Sequence, residues 1–102
     1  MNVIFFNSKI RDDLKALDKI SLNKSVKLID LLKMFGNQLK MPYSKKISTN
    51  LYELRVRGRQ EVRIFYCFNQ DKAVIIHHFI KKSQKTPKKE IEVALARISS
   101  LT

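Results

Sequence analysis

The chain has 102 residues, with 21 Lys or Arg against nine Asp or Glu, a formal net charge of +12 and a pI near 10.1. Hydrophobic residues make up 44% of it, which excludes a disordered polyelectrolyte and predicts one domain over residues 1–102. Both halves are basic, because residues 1–50 carry ten basic and four acidic side chains and residues 51–102 carry eleven and five. We expect a phosphate-rich partner, although charge alone also suits an acidic protein or an anionic membrane.

The cysteine content and the N-terminus indicate a cellular location. Cys67 is the only cysteine, lies in an apolar strand pattern and has no partner for an internal disulfide, which favours a reducing compartment. The apolar run at residues 3–6 is too short for a signal sequence or a membrane span. We expect a cytoplasmic protein without a membrane partner.

The N-terminal third predicts a short strand and two helices. Residues 3–6 form the strand, and Ser8 is placed to cap a helix whose apolar residues recur at i, i+4 and i+7 from Ile10. A second helix is expected over residues 24–35, ended by a Gly-Asn pair in a left-handed cap. Residues 37–50 are expected to form a basic loop.

The rest of the chain predicts an antiparallel meander and a last helix. Strands are expected at residues 51–57, 61–69 and 73–82, joined by turns too short for a parallel crossover. Thr86 is the expected N-cap of the helix, with Pro87 in its first turn. The predicted fold is α+β in the order β-α-α-β-β-β-α, with the helices on one face of an antiparallel sheet.

The register of the first predicted hairpin indicates a binding site. Leu54 and Ile64 face the same core only if the connection is the three residues 58–60. That register places Arg55 directly opposite Arg63, and we call the side of the sheet that carries them the arginine face. Two like charges at such a position destabilise a sheet unless an anion lies between them. The pair therefore predicts a phosphate site.

The neighbouring residues strengthen this interpretation. Taken singly, Arg55 and Arg63 are most simply solvated surface charges, but Glu53 is nearby and the next strand ends in Lys81 and Lys82. Arginine presents fork-shaped donors that match phosphate oxygens. Lysine among other cations can have a lowered pKa and so exchange protons. We therefore expect a cationic site shared by three strands.

The two adjacent histidines leave an alternative open. Strand alternation places only one of them on the arginine face. A two-residue turn at residues 70–71 would select His78 with Lys82, whereas a three-residue turn would select His77 with Lys81. The sequence does not distinguish the two.

The motifs that are missing limit the chemistry. The sequence has no zinc-ligand spacing, no carboxylate cluster for two metals and no Gly-rich phosphate loop. A nuclease built from these residues is expected to need no metal or other cofactor and to use the RNA 2′-hydroxyl as nucleophile. Because arginine does not exchange protons, that work would fall to Lys, His, Tyr66 or Glu53.

Several segments resemble the phage-derived HigB-like toxins of the RelE/ParE superfamily. They are L-Y-E-L-R at 51–55, V-R-I-F-Y at 62–66, H-x-F-x-K-K-x-x-K-T-P-x-x-E-I at 77–91 and M-P-Y-S-K-K at 41–46. The resemblance covers residues 39–97 and implies a RelE-like fold. It further implies a type II toxin that cleaves mRNA in the A site of the 30S ribosomal subunit without a metal. Its expected partner is a co-encoded helix-turn-helix antitoxin.

The resemblance also implies which residues form the active surface. The expected catalytic set, in which His77 is favoured over His78, is Arg55, Arg63, Lys81, Lys82 and His77. The residues expected to bind or steer RNA are Arg57, Arg59, Lys45, Lys46, Lys85, Lys88 and Lys89.

Two other functional classes remain open at the level of sequence. ParE-like relatives share the fold but inhibit DNA gyrase by binding, without nuclease chemistry. A basic RNA-binding protein without catalysis would be expected to expose aromatic side chains for base stacking. Most aromatics here occupy apolar positions, and Tyr43 and Phe65 are the candidate exceptions. The arginine pair and the lysine cluster favour RNA cleavage.

Overall fold

A computed structural model of the chain describes residues 1–101, so the last residue of the predicted domain, Thr102, lies outside the described residues. The elements are β1 (Asn2–Phe5), α1 (Ser8–Lys15), α2 (Lys19–Phe35), a 3-10 turn (Gly36–Gln38), β2 (Ser44–Ser48), β3 (Leu51–Val56), β4 (Val62–Asn69), β5 (Lys72–Ile80) and α3 (Lys88–Ser99). The predicted α+β class is confirmed. None of the described helices is long and apolar enough to cross a membrane.

The five strands form one mixed sheet in the order β1-β5-β4-β3-β2. Strands β2 to β5 pair antiparallel with their neighbours. β1 instead pairs parallel with β5, with Asn2 opposite Lys72. The prediction of a wholly antiparallel sheet was wrong for β1. Most of the chain separates β1 from β5, so no short turn between them indicates whether the two strands run parallel or antiparallel.

β2 occupies part of the segment that was predicted to be a loop. It pairs Ser44 with Leu54 at the sheet edge, and the register shifts between Lys46 and Ser48. Lys45 and Lys46 are exposed, which is a common way for an edge strand to avoid pairing with another chain. Sequence patterning missed this strand because five residues with one apolar side chain and a bulge show no period of two.

The sheet carries helices on both faces, which corrects the prediction that all helices cover one face. Ile64 and Tyr66 of β4 pack into the core formed with α1 and α2, whereas Phe65 and Cys67 pack into the core under α3. Ala94 of α3 is fully buried in that second core. Because β4 is apolar on both sides, its sequence does not show that the helices are divided between two faces.

Side-chain caps define the starts of the first two helices. Asn7, rather than the predicted Ser8, caps α1, because its Oδ1 accepts a hydrogen bond from the backbone N–H of Ile10 at 2.9 Å. Asp18 caps α2 in the same way through the N–H of Ser21 at 3.1 Å. That cap begins α2 well before the predicted start.

The remaining helix ends follow from glycine and proline. Gly36 ends α2 with a φ of +54°, a left-handed conformation that glycine adopts without steric cost. Thr86 does not cap α3, since the helix begins at Lys88 with Pro87 in the cap position and no side-chain hydrogen bond there. The predicted N-cap at Thr86 was therefore wrong by one residue.

The turn between β4 and β5 has two residues. Gln70 and Asp71 have φ values of 52° and 63°, as in the type I′ turns that match the twist of a hairpin. Asn69 and Lys72 pair on either side of them. By simple alternation this turn would place His78 on the arginine face.

A bulge in β5 reverses that expectation. Phe65 lies opposite His77, but the next residue of β4, Tyr66, lies opposite Ile75. Ile76 is thus an additional residue in β5, and it shifts the alternation so that His77 shares the face of Phe65. The arginine face consequently carries His77, as the family resemblance implied.

The observed cap of α1 can be tested against the predicted one. Asn7→Ala is expected to lower the free energy of unfolding by about 1 kcal/mol, because it leaves the first-turn N–H of Ile10 without its acceptor. Ser8→Ala, the matched control, is expected to change it by less than about 0.5 kcal/mol. Urea unfolding followed by circular dichroism measures both. A larger loss in Ser8→Ala would show that the cap is at Ser8.

Candidate functional site

Five of the predicted cations come together in an open groove of about 550 Å³ where β3, β4 and β5 meet the segment before α3. We call it the arginine groove, and its charged lining residues are Arg55, Arg57, Arg63, Lys81, Lys82 and Glu61. Arg55 lies directly opposite Arg63, as the register analysis predicted. Ser83 and Gln84 complete the lining. Four of the five predicted catalytic residues therefore lie in one groove.

The carboxylate of Glu53 lies at ion-pair distance from both Arg55 and Arg63. Oε1 of Glu53 lies 3.6 Å from Nε of Arg63 and 3.9 Å from Nε of Arg55. Glu53 and Arg63 are each only 3% exposed. The carboxylate between the two guanidinium groups already relieves their repulsion, so the pairing does not by itself require an external anion, and the phosphate site stays a prediction.

Arg63 also contacts the two residues that precede it in the chain. Its Nη1 donates to Oε2 of Glu61 at 3.0 Å and to the carbonyl oxygen of Val62 at 3.2 Å. Because Arg63 is almost completely buried, a ligand has little access to its remaining donors. Arg63 thus organises the floor of the groove.

The buried cluster is incompletely hydrogen-bonded. Among the described residues, Oε2 of Glu53, Nε of Arg55 and Nε of Arg63 are buried without a hydrogen-bond partner. Charge attraction at ion-pair distance holds these groups together, and removal of one partner would leave an uncompensated buried charge. The three residues form one electrostatic unit.

The accessible cations of the groove surround this unit. Arg57 and Lys82 are exposed, whereas Arg55 and Lys81 are partly buried. The backbone N–H of Lys81 donates to the carbonyl oxygen of Glu61 at 2.7 Å, which extends the pairing of β4 and β5 to the edge of the groove. These four side chains can approach phosphate oxygens from different sides.

The other predicted RNA-binding residues lie outside the groove. Arg59 lines a separate cavity beside Asp18. Lys45 and Lys46 lie on the edge strand β2. The remaining three residues are exposed: Lys85 precedes α3, and its first turn contains Lys88 and Lys89. The fold leaves these cations outside the groove, where they can contribute long-range attraction to a polyanion.

His77 does not join the arginine groove, although it lies on the same face. Its Nε2 is 2.8 Å from Oε1 of Glu90 on α3, and its ring stacks on Phe79 with centroids 6.0 Å apart. It lines a different cavity, with His78 and Arg97. These contacts connect β5 to α3.

His78 and Tyr66 are also placed away from the groove. Burial lowers the pKa of His78, and the adjacent His77 adds to that effect. The hydroxyl of Tyr66 is buried 2.6 Å from Oγ of Ser44, and burial raises its pKa. The groups that can exchange protons within the groove are instead Lys81, Lys82 and Glu61.

Glu61 was not among the residues that the sequence indicated. Its carboxylate lines the groove and bonds Arg63. The only sequence signal is its place at the start of the predicted strand 61–69, two residues before Arg63 and therefore on the same face.

Comparison with protein families decides where the chain belongs. The family model described as "Phage derived protein Gp49-like (DUF891)" matches residues 12–99, which include every residue that lines the groove. The chain belongs to the Gp49-like family. This family is related to the toxins of toxin–antitoxin systems. No curated protein matches the Gp49-like chain significantly.

The electrostatic unit of this Gp49-like protein can be tested through Glu53. Glu53→Gln keeps the shape but removes the charge between the two arginines, so the free energy of unfolding is expected to fall by about 3 kcal/mol. Sulfate is expected to restore more of that loss than chloride at equal ionic strength, because a divalent oxyanion bound in the groove can partly neutralise the two uncompensated arginines. Denaturant unfolding in the two salts measures both effects.

The matched control is Glu92→Gln on the exposed side of α3. It removes the same charge without touching the groove and should shift stability by less than about 0.5 kcal/mol. Equal stability of the wild type and Glu53→Gln would contradict the internal-anion role.

Proposed function

We propose that this Gp49-like protein is the toxin of a type II toxin–antitoxin system, a HigB-like endoribonuclease of the RelE superfamily that cleaves mRNA on the ribosome and inhibits translation. The single observation that carries the proposal is the arginine groove. It gathers five cationic side chains around one open cavity and places groups that can exchange protons among them. A mixed sheet with helices on both faces is compatible with a RelE-like fold.

The proposed reaction is the internal transesterification of RNA. The 2′-oxygen bonds to phosphorus, the bond from phosphorus to the 5′-oxygen breaks, one group accepts the 2′-hydroxyl proton and another protonates the leaving oxygen. The phosphorane between these steps carries additional negative charge and is stabilised by fixed cations. Arg55 and Arg57 supply that stabilisation, while Lys81, Lys82 and Glu61 are the available proton carriers.

Arg63 has a supporting role in this mechanism. Its guanidinium is buried against Glu53 and Glu61, so it stabilises the site by positioning the groove. His77 acts through structure as well, because its contact with Glu90 connects β5 to the helix that follows the basic segment. Both remain necessary for an intact site without donating to the substrate.

The proposed partners follow from the surface charge and from the family. The net charge of +12 favours a site dense in phosphate, such as mRNA in the ribosomal A site. A co-encoded helix-turn-helix antitoxin would neutralise the toxin in the cytoplasm. Binding to RNA should weaken steeply as salt is raised, since phosphate contacts release counterions.

The nuclease proposal is tested by translation in a purified system with mapping of the mRNA ends. The wild type is expected to cut ribosome-bound mRNA within codons. Arg57→Ala and Lys81→Ala should each reduce the cleavage rate on the order of 10²-fold, because each removes a cation from the reacting phosphate without breaking the buried Glu53 cluster. Arg63 is less suitable for this test, since its loss would also destabilise the fold.

Lys33→Ala is the matched control, as it removes an exposed cation from α2, outside the lining of the groove, and should leave the rate within about twofold. Intact mRNA together with inhibited supercoiling by DNA gyrase would contradict the proposal and indicate a ParE-like inhibitor. RNA binding without cleavage or gyrase inhibition would indicate a non-catalytic RNA-binding protein.

A further inference from the structure

A second groove adjoins the arginine groove and has a different character. It encloses about 380 Å³ between α2 and the end of β3. We call it the apolar groove, and its apolar lining residues are Leu28, Leu31, Pro42, Tyr43 and Val56. Its rim is basic and consists of Lys24, Lys27, Arg55 and Arg57. The lining contains no acidic residue, so its complement is an anionic ligand with a flat or apolar part.

Tyr43 presents an uncovered aromatic ring at this groove. The residue is 47% exposed, while its backbone is held, because its carbonyl oxygen accepts from the N–H of Arg55 at 3.0 Å and its N–H donates to Lys40 at 3.1 Å. Nζ of Lys24 similarly bonds the carbonyl oxygen of Arg57 at 2.8 Å and holds the rim in place. A positioned, exposed aromatic ring is a surface for stacking.

The two grooves share a wall. Arg55 and Arg57 line both of them. A ligand whose phosphate contacts these arginines from the arginine groove therefore has its neighbouring group at the mouth of the apolar groove. Among biological polyanions, single-stranded nucleic acid combines closely spaced phosphates with flat aromatic groups that stack on side chains.

We propose that the apolar groove is a nucleobase subsite, in which one base of single-stranded RNA stacks on Tyr43 while its flanking phosphates contact Arg55 and Arg57. This inference rests on the proposed function and specifies how the substrate is held. The size of the groove supports a base over a protein segment. A cavity of about 380 Å³ suits a small planar group, whereas a stable protein partner covers roughly 800 Å² on each side.

If the apolar groove binds a base, the contribution of the base to RNA affinity can be measured separately from that of the phosphates. Fluorescence anisotropy would compare binding of a 2′-O-methyl RNA hexamer, which lacks the nucleophile and is not cleaved, with binding of an abasic backbone of the same length. Tyr43→Ala should weaken binding of the hexamer roughly 5- to 150-fold, the equivalent of one stacked base. Binding of the abasic backbone should change less than about twofold, since its phosphates still meet the arginines.

Two further variants make the comparison specific. Tyr43→Phe keeps the ring and should bind the hexamer like the wild type. Met34→Ala removes another exposed apolar side chain, on α2 and 72% exposed, and should leave both affinities unchanged. Circular dichroism of each variant checks that the fold is retained.

The outcomes separate this inference from the function on which it rests. An unchanged hexamer affinity in Tyr43→Ala, or an equal loss for hexamer and abasic backbone, overturns the subsite while the nuclease proposal stands. A loss of affinity for polyglutamate equal to that for the hexamer assigns the groove to an acidic protein and likewise overturns it. Failure of the wild type to bind either oligonucleotide also overturns the subsite, whereas the nuclease proposal is decided separately by the cleavage of ribosome-bound mRNA.

Discussion

The carboxylate of Glu53 between Arg55 and Arg63 is the contact on which the rest of the candidate site depends. Two arginines on adjacent strands would repel each other, yet here they share one buried anion at 3.6 and 3.9 Å. The register of β3 and β4 that pairs the two arginines also brings Glu61 to the groove. The proposed site for external phosphate is thus built around an internal carboxylate, which leaves the exposed cations free for a ligand.

Burial separates the groove residues that hold the structure from those that can contact a ligand. Arg63 and Glu53 are enclosed and paired, so they hold the geometry. Arg57 and Lys82 are open to solvent and can meet a substrate. Similarly, the bulge at Ile76 brings His77 to the arginine face, but Nε2 of its ring is hydrogen-bonded to Glu90. Charge and residue type alone do not separate these two kinds of residue.

The apolar groove adds an aromatic and apolar part to the cationic surface of the arginine groove. Arg55 belongs to both grooves, and its backbone also holds the segment that carries Tyr43. A single strand position therefore couples the cationic and the aromatic parts of the surface. For a single-stranded polyanion, such a surface offers attraction through phosphate and discrimination through bases.

The sequence by itself determined the α+β class, the antiparallel meander of β3 to β5 and the Arg55–Arg63 register, because alternation and short connections act between neighbours in the chain. It did not reveal the parallel pairing of β1, the edge strand β2 or the placement of α3 on the opposite face, since these depend on contacts between distant segments. The bulge at Ile76 is the clearest example of what the sequence could not predict. This one additional residue places His77 instead of His78 on the arginine face, and the local composition does not indicate it. Whether a charged side chain faces a ligand or a neighbouring carboxylate was decided only by the tertiary structure, because burial and ion pairing depend on what packs around it.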